Sequence, residues 1–295
     1  MISGLRTTVS TDPRDGLPPS ANALETLERA RAGAGLTTAA IEDDVSPVAE
    51  PALTVHGVGK RFGAARIALR GVSLQVAPGE CVAIVGTQGA GKTTLLKCVL
   101  DLARPDEGTI LIHGVDSRHA GAHGPVAWLP QRFSPAPHRT GRETLALLAD
   151  LQGWHGSAPR IDAVLAELGF PRDALDRRTR VYSTATMRRL GLAVTLLRDA
   201  PMLVLDDPLG GLDAPDREVL VQALARRRAE VRTLLLTSRT PADVAPLADR
   251  LALLHDGGVL FFGSPHALRE AFGTDDLEAA CAARLRMSDT QDGLR

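Results

Sequence analysis

The sequence predicts an α/β fold: a mainly parallel sheet, an antiparallel β subdomain ahead of it, and an α-helical subdomain inserted between the sheet's two halves. Three observations carry this reading. Short, almost wholly apolar runs at Cys81–Val85, Met202–Leu205 and Thr233–Leu236 have the length and composition of strands buried on both faces of a parallel sheet. Segments with apolar residues three to four apart alternate with them, which implies β–α–β units with right-handed crossovers. Earlier in the chain, Leu53–Val58 and Leu69–Val76 alternate apolar and polar residues, as half-buried strands do.

Taken in order, residues 1–50 are rich in Ser, Thr, Pro, Gly, Ala and Asp and lack a sustained apolar period. A disordered leader is expected there, with one short helix around Ala23 to Arg31. The two alternating strands follow, separated by a turn at Phe62-Gly63, and Pro78-Gly79-Glu80 marks the next turn. After Cys81–Val85 come a Gly-rich loop and a helix from about Lys92 to Leu102, then a strand from Thr109 to His113. The middle reads as helices at Arg142–Leu151, Arg160–Leu168 and Thr186–Arg198, giving a helical subdomain over about 132–195. A further helix, Ala214–Arg228, separates the last two buried strands. The ordered domain is expected over 51–272, and residues 273–295 as a polar tail fraying beyond a last helix.

Composition narrows the functional classes. The chain has 295 residues, 44% hydrophobic and 23% charged, with a net charge of −1. That balance gives no pull toward nucleic acid, so no nucleic-acid partner is expected. Cys81, Cys98 and Cys281 are isolated and fit packed thiols in a reducing compartment. No apolar run approaches the ~20 residues a membrane span needs. The first residues lack a charged start followed by an apolar stretch, so no signal peptide is expected. Any membrane role is therefore expected through a partner.

One motif carries the chemistry. Gly86-Thr87-Gln88-Gly89-Ala90-Gly91-Lys92-Thr93 satisfies G-x-x-x-x-G-K-[ST] and sits between a buried strand and a helix start, where a phosphate-binding loop must lie. Glycines let backbone N–H groups wrap phosphates, and the helix N-terminus adds positive potential. Lys92 is expected on the β- and γ-phosphates, Thr93 on Mg²⁺, and Thr94 beside them in the nucleotide site. The chain holds three lysines against thirty-one arginines, and one lysine occupies the position needing a compact charge. A P-loop NTPase core follows, but the loop alone does not choose among NTPase families.

The surroundings of the loop are more specific. Gly59-Lys60-Arg61-Phe62-Gly63 before it and Pro105-Asp106-Glu107-Gly108-Thr109-Ile110 after it resemble the ATP-binding cassette family of transporter ATPases. The resemblance spans about residues 53–272, some three quarters of the chain. It implies a RecA-like core with ATP and Mg²⁺ as cofactors. It also implies that Phe62 stacks on adenine, the alternative being a core aromatic. Trp128-Leu129-Pro130-Gln131 resembles the family's Q-loop, which implies Gln131 on Mg²⁺ and the attacking water. Met202–Leu205 followed by Asp206-Asp207-Pro208 resembles the Walker B strand, with Asp206 holding Mg²⁺ through water. Gly211-Leu212-Asp213 resembles the D-loop, which crosses a dimer interface. Ala248-Asp249-Arg250 and Asp256-Gly257-Gly258 match the closing strands.

Three positions depart from the family, and each touches hydrolysis. Asp207 stands where Glu is usual as the base for water, one methylene shorter, and losing a positioned base costs ~10²–10⁴ in rate. The signature reads Tyr182-Ser183-Thr184-Ala185-Thr186: Ser183 remains for the partner's nucleotide, but both glycines are replaced. Ser238 stands at the switch histidine's place, with Arg239 next to it as a possible substitute.

Other signals carry less. His119, His123 and His138 lie in a Gly/Pro loop without a fourth ligand for zinc. The runs Arg177-Arg178-Thr179-Arg180 and Arg226-Arg227-Arg228 are expected on solvated helix faces. The resemblance thus implies a Mg-ATP-binding subunit of a transporter, at the cytoplasmic membrane face through an integral-membrane partner. It implies a homo- or heterodimer and slow hydrolysis. The compact helical insert and Asp276-Leu277-Glu278 resemble the exporter branch. The alternative is a regulatory ATP switch with little or no turnover.

Overall fold

The computed structural model describes residues 50–63, 66–151, 158–230 and 232–292. The expected leader, with its short helix, lies outside the described residues up to residue 49. The first described strands belong to an antiparallel sheet of order β2-β1-β4-β5. Its strands are β1 (Leu53–Phe62), β2 (Arg66–Val76), β4 (Glu107–Ile112) and the two-residue β5 (Val115–Asp116). A second sheet has the order β10-β9-β3-β8-β7-β6. Five of its strands are parallel: β3 (Cys81–Val85), β6 (Val126–Leu129), β7 (Met202–Leu205), β8 (Thr233–Ser238) and β9 (Arg250–His255). β10 (Gly258–Gly263) runs antiparallel along the edge.

The unbroken apolar run of β3 has a direct cause. Cys81, Ala83 and Val85 face one hydrophobic core, formed largely with helices, while Val82 and Ile84 face a second core shared with the antiparallel sheet. Successive side chains point to opposite faces, so β3, packed on both sides, is apolar at every position. β1 and β2 have one such face, and their patterns alternate accordingly.

Helix α1 (Lys92–Val99) opens directly from the glycine loop and ends three residues earlier than its sequence predicts. Asp101 adopts a left-handed conformation (φ 53°), which breaks the helix before Pro105. Three helices, α2 (Gly141–Leu151), α3 (Ala158–Glu167) and α4 (Thr184–Leu197), fall between β6 and β7 in the chain. Helix α5 (Ala214–Ala229) joins β7 to β8, with Asp213 capping its first turn through the Asp216 N–H. A short α6 (Pro241–Val244) precedes β9, and α7 (Pro265–Ala271) follows β10.

Two expectations change. The segment read as a fraying polar tail contains α8 (Leu277–Asp292), which buries Leu277, Ala280 and Cys281 in the larger core. The Arg226–Arg228 run is not simply a solvated face. Arg227 pairs with Glu167 of α3, and Arg228 pairs with Asp249 just before β9. These guanidinium groups tie α5 to neighbouring elements. Among the described residues no helix is long and apolar enough to cross a membrane.

Candidate functional site

The site forms where β3, β7 and β8 release the chain at their carboxyl ends, the usual place for a ligand in an open α/β sheet. Leaving β3, residues 86–91 turn tightly into α1. Gly91 caps the helix at φ 105°, where an added Cβ would collide with the carbonyl oxygen of Ala68. At Gly86 a Cβ would strike the carbonyl oxygen of Leu254. The loop therefore presses on β2 and β9 so closely that only glycine fits. Lys92 curls back over it, its Nζ donating to the carbonyl oxygens of Gly86 (2.7 Å) and Thr87 (2.8 Å). Burial pushes the ammonium's pKa down, and the carboxylates of Asp207 and Asp206 oppose that fall.

The acids emerge from β7. Parallel pairing of Leu205 with Leu236 places them beside Thr237 of β8. The fully buried Thr237 hydroxyl donates to Asp206 Oδ1 (2.6 Å) and accepts from the Asp207 N–H (2.9 Å). One side chain thereby fixes both acids. Asp206 Oδ2 is buried with no hydrogen-bond partner among the described residues, an oxygen left over for a ligand. Asp207 sits at φ 52°, a left-handed geometry that Asp tolerates better than most residues. Its carboxylate fills the space where a side chain on residue 210 would begin. Gln131 Nε2 donates to Asp207 Oδ2 over 3.4 Å, and Arg239 Nη2 lies 3.6 Å from the same oxygen.

These groups line a cleft of about 530 Å³. Of the residues predicted to bind nucleotide or metal, Gln88, Gly89, Gly91, Lys92, Thr93 and Thr94 line it, as do Gln131, Asp206 and Asp207. Gly86, Thr87 and Ala90 belong to the loop but not to the cleft wall. Phe62 is outside the cleft wall but pairs with Arg66, which is part of it; the ring is 45% exposed at the end of β1, with the Lys60 ammonium 5.5 Å from its centre. Ser183 is not at the cleft either; it caps α4, its Oγ accepting from the Thr186 N–H (3.1 Å). Ser238 is buried, and its hydroxyl is engaged with Thr240, donating to the carbonyl (3.0 Å) and accepting from the N–H (3.1 Å).

The cleft is more basic than the chain. Arg66, Arg132, Arg188 and Arg239 join Lys92 in its wall against two carboxylates, although the whole protein carries −1. Arg188, on α4, donates to the Gln131 carbonyl (3.1 Å) and to that of Gly210 (3.5 Å). Burial lowers its pKa, countered by Asp207 and Asp206. Sequence reading missed Thr237 and Arg188. For Thr237 the available signal was a hydroxyl at the inner end of a buried strand, beside the strand that carries the acids.

The residues fit Mg²⁺ with a nucleoside triphosphate. The orphaned Asp206 oxygen and the Thr93 side chain in the cleft wall offer the hard oxygen donors Mg²⁺ prefers. The glycine loop, α1 N-terminus and cationic wall suit phosphates.

The sequence model of the ABC transporter family matches residues 69–210. The Nod factor export ATP-binding protein I of Burkholderia orbicola (strain AU 1054) is 37% identical over 227 residues, covering 76% of this chain and 74% of that protein. The protein of the same name from Bradyrhizobium diazoefficiens is 35% identical, covering 74% and 72%. A solved ATP-binding subunit of an ABC transporter superposes with a TM-score of 0.70 at 24% identity, over 79% of this chain and 99% of its own. A dimeric ATP-binding cassette bound to ADP and phosphate gives 0.65 at 21% identity, over 72% and 98%. Those superpositions establish the fold, and the sequence matches establish the lineage. The chain belongs to the ABC transporter family, among its ATP-binding subunits.

Proposed function

We propose that this protein binds Mg-ATP in the cleft, pairs with a second ATPase subunit, and couples nucleotide binding to a separate membrane subunit of an exporter, with slow hydrolysis. In this reading residues 51–272 are the ATPase domain, the helical subdomain lies at about 132–195, and the chain sits peripherally at the cytoplasmic membrane face. The observation that carries it is the convergence on one cleft of the glycine loop, Lys92 and a buried Asp206 oxygen with no partner among the described residues. The export direction rests on the names of the relatives.

Each residue has a defined part. Backbone N–H groups of 86–91 and the Lys92 ammonium hold the phosphates. Thr93, Asp206 and Gln131 hold Mg²⁺, which supplies charge neutralisation across the phosphates. Thr237 fixes Asp206 so that one carboxylate oxygen stays available. Asp207 is the candidate base for water, but its carboxylate is turned toward Gly210, Gln131 and Arg239. Phe62 is the adenine platform, reached from the end of β1. Ser183, with Thr184 and Ala185, faces the nucleotide of the opposite subunit. Ser238 contributes no group to the cleft wall.

Calorimetric titration tests this directly. Wild type is expected to bind Mg-ATP in the micromolar-to-millimolar range and Lys92→Ala to lose that binding; equal affinity of the two proteins would refute the reading. A second reading, an ATP switch with little or no turnover, is favoured by the engaged Ser238 hydroxyl and the ion-paired Asp207. Phosphate release with and without a co-purified membrane protein separates the two, because only a transporter subunit is stimulated by its partner.

A further inference from the structure

We propose that Lys60 is a positioning residue for nucleotide binding: its ammonium, held by Asp106, backs one face of the Phe62 ring and presets the other face as a platform for a purine base. The inference rests on the Mg-ATP reading and on Phe62 as its adenine platform, and adds the group that holds that platform. Phe62 is 45% exposed at the end of β1, and an exposed ring with nothing against it must be ordered when a ligand binds. The Lys60 Nζ stands over this ring, 5.5 Å from its centre. At that range a cation is attracted to the negative face of the aromatic system.

Lys60 is itself fixed. Its side chain is only 14% exposed, and Nζ donates to Asp106 Oδ1 at 2.9 Å. Asp106 is tied to the same strand at two further points. Its Oδ2 accepts from the Arg61 N–H (2.6 Å), and its own N–H donates to the Gly59 carbonyl (2.9 Å). The Arg61 N–H and the Lys60 ammonium hold its carboxyl below the usual range, so it stays an anion at neutral pH. A chain of contacts thus runs from Asp106, just ahead of β4, through Lys60 to the ring. With the ammonium on one face, the opposite face is left for a base. Strand register carries that ring toward the site, because Phe62 pairs with Arg66, which lines the cleft. A side chain ordered before binding loses less freedom on binding, and affinity gains accordingly.

The test is calorimetry on the full chain with Mg²⁺ and the β,γ-imido analogue of ATP, with inorganic tripolyphosphate as the ligand that has no base. Phe62→Leu is expected to weaken the analogue about tenfold or more. Lys60→Met, which keeps most of the stem and removes the charge, should weaken it about two- to fivefold. Lys60→Arg should restore most of that loss, because a guanidinium also stacks on an aromatic face. In the Phe62→Leu background Lys60→Met should have no further effect, and neither change should alter tripolyphosphate binding. Equal weakening by Lys60→Met in both backgrounds would show a general charge effect and overturn the positioning role, as would an unchanged affinity. If Phe62→Leu binds the analogue as wild type does, the platform falls and the role of Lys60 with it, while the cleft assignment stands. If wild type does not bind the analogue, the cleft assignment falls as well.

Discussion

Thr237 orders the two acids through one hydroxyl, and its replacement separates that role from bulk. Thr237→Val keeps the shape but leaves Asp206 Oδ1 and the Asp207 N–H without their partner in a buried place. An unsatisfied buried polar group costs about 1–3 kcal/mol, so the urea midpoint should fall accordingly, with Thr237→Ser close to wild type. Gly210 poses a complementary test. A methyl there displaces the Asp207 carboxylate, so Gly210→Ala should alter turnover far more than Mg-ATP affinity, read by phosphate release beside calorimetry. Asp207→Glu should recover little activity, because the longer side chain must hold a left-handed backbone and still fit against Gly210. At this scale the sequence reveals what a motif fixes: the loop, Lys92, Gln131 and Asp206. Thr237 escapes because apolar periodicity ends at Leu236 and its hydroxyl gains a meaning only once β7 and β8 are known to be neighbours. Assigning Ser238 to the switch position leaves open where its hydroxyl points, which depends on the turn into α6.

Elements were legible wherever burial was symmetric. β3 and β7 have the bounds their apolar runs announce, since both faces demand apolar side chains. α8 escaped because its core-facing residues, Leu277, Ala280, Cys281 and the partly buried Leu285, are few and small in an otherwise polar, alanine-rich stretch. The helical insert depends on specific links that no periodicity reports. Arg189 of α4 donates to the Leu168 carbonyl (2.9 Å) and pairs with Asp216 of α5 at 2.6 Å, both partners largely shielded. Arg189→Ala should therefore destabilise the chain by about 1–3 kcal/mol and raise hydrogen exchange in α3 and α4 before the parallel sheet. Ser183→Ala removes the α4 N-cap and should cost about 1 kcal/mol, measured by the same urea titration. A wild-type midpoint for both variants would show that the insert does not depend on these ties.

Over the whole molecule, two cores share the β3 strand, so disruption of one should be felt in the other. The cysteines report on this. Burial pushes the Cys81 thiol up to about 12 and those of Cys98 and Cys281 to about 11. The thiolate is the reactive form, so all three should resist alkylation at pH 8 and react together as the chain unfolds in urea. Rapid labelling of Cys281 alone would mean that α8 opens independently. The proposed function, Mg-ATP binding with slow hydrolysis, belongs to this scale. Lys92, Thr93 and Asp206 converge, while Asp207 is turned toward Arg239 and the signature glycines are replaced. Groups that act as a unit in a transition state fail together. The most direct test is steady-state phosphate release by the purified full chain at saturating Mg-ATP, with occupancy verified by calorimetry on the same sample. Full occupancy with turnover well below the ~1–100 s⁻¹ usual for phosphoryl-transfer enzymes is expected; a rate inside that range would refute slow hydrolysis.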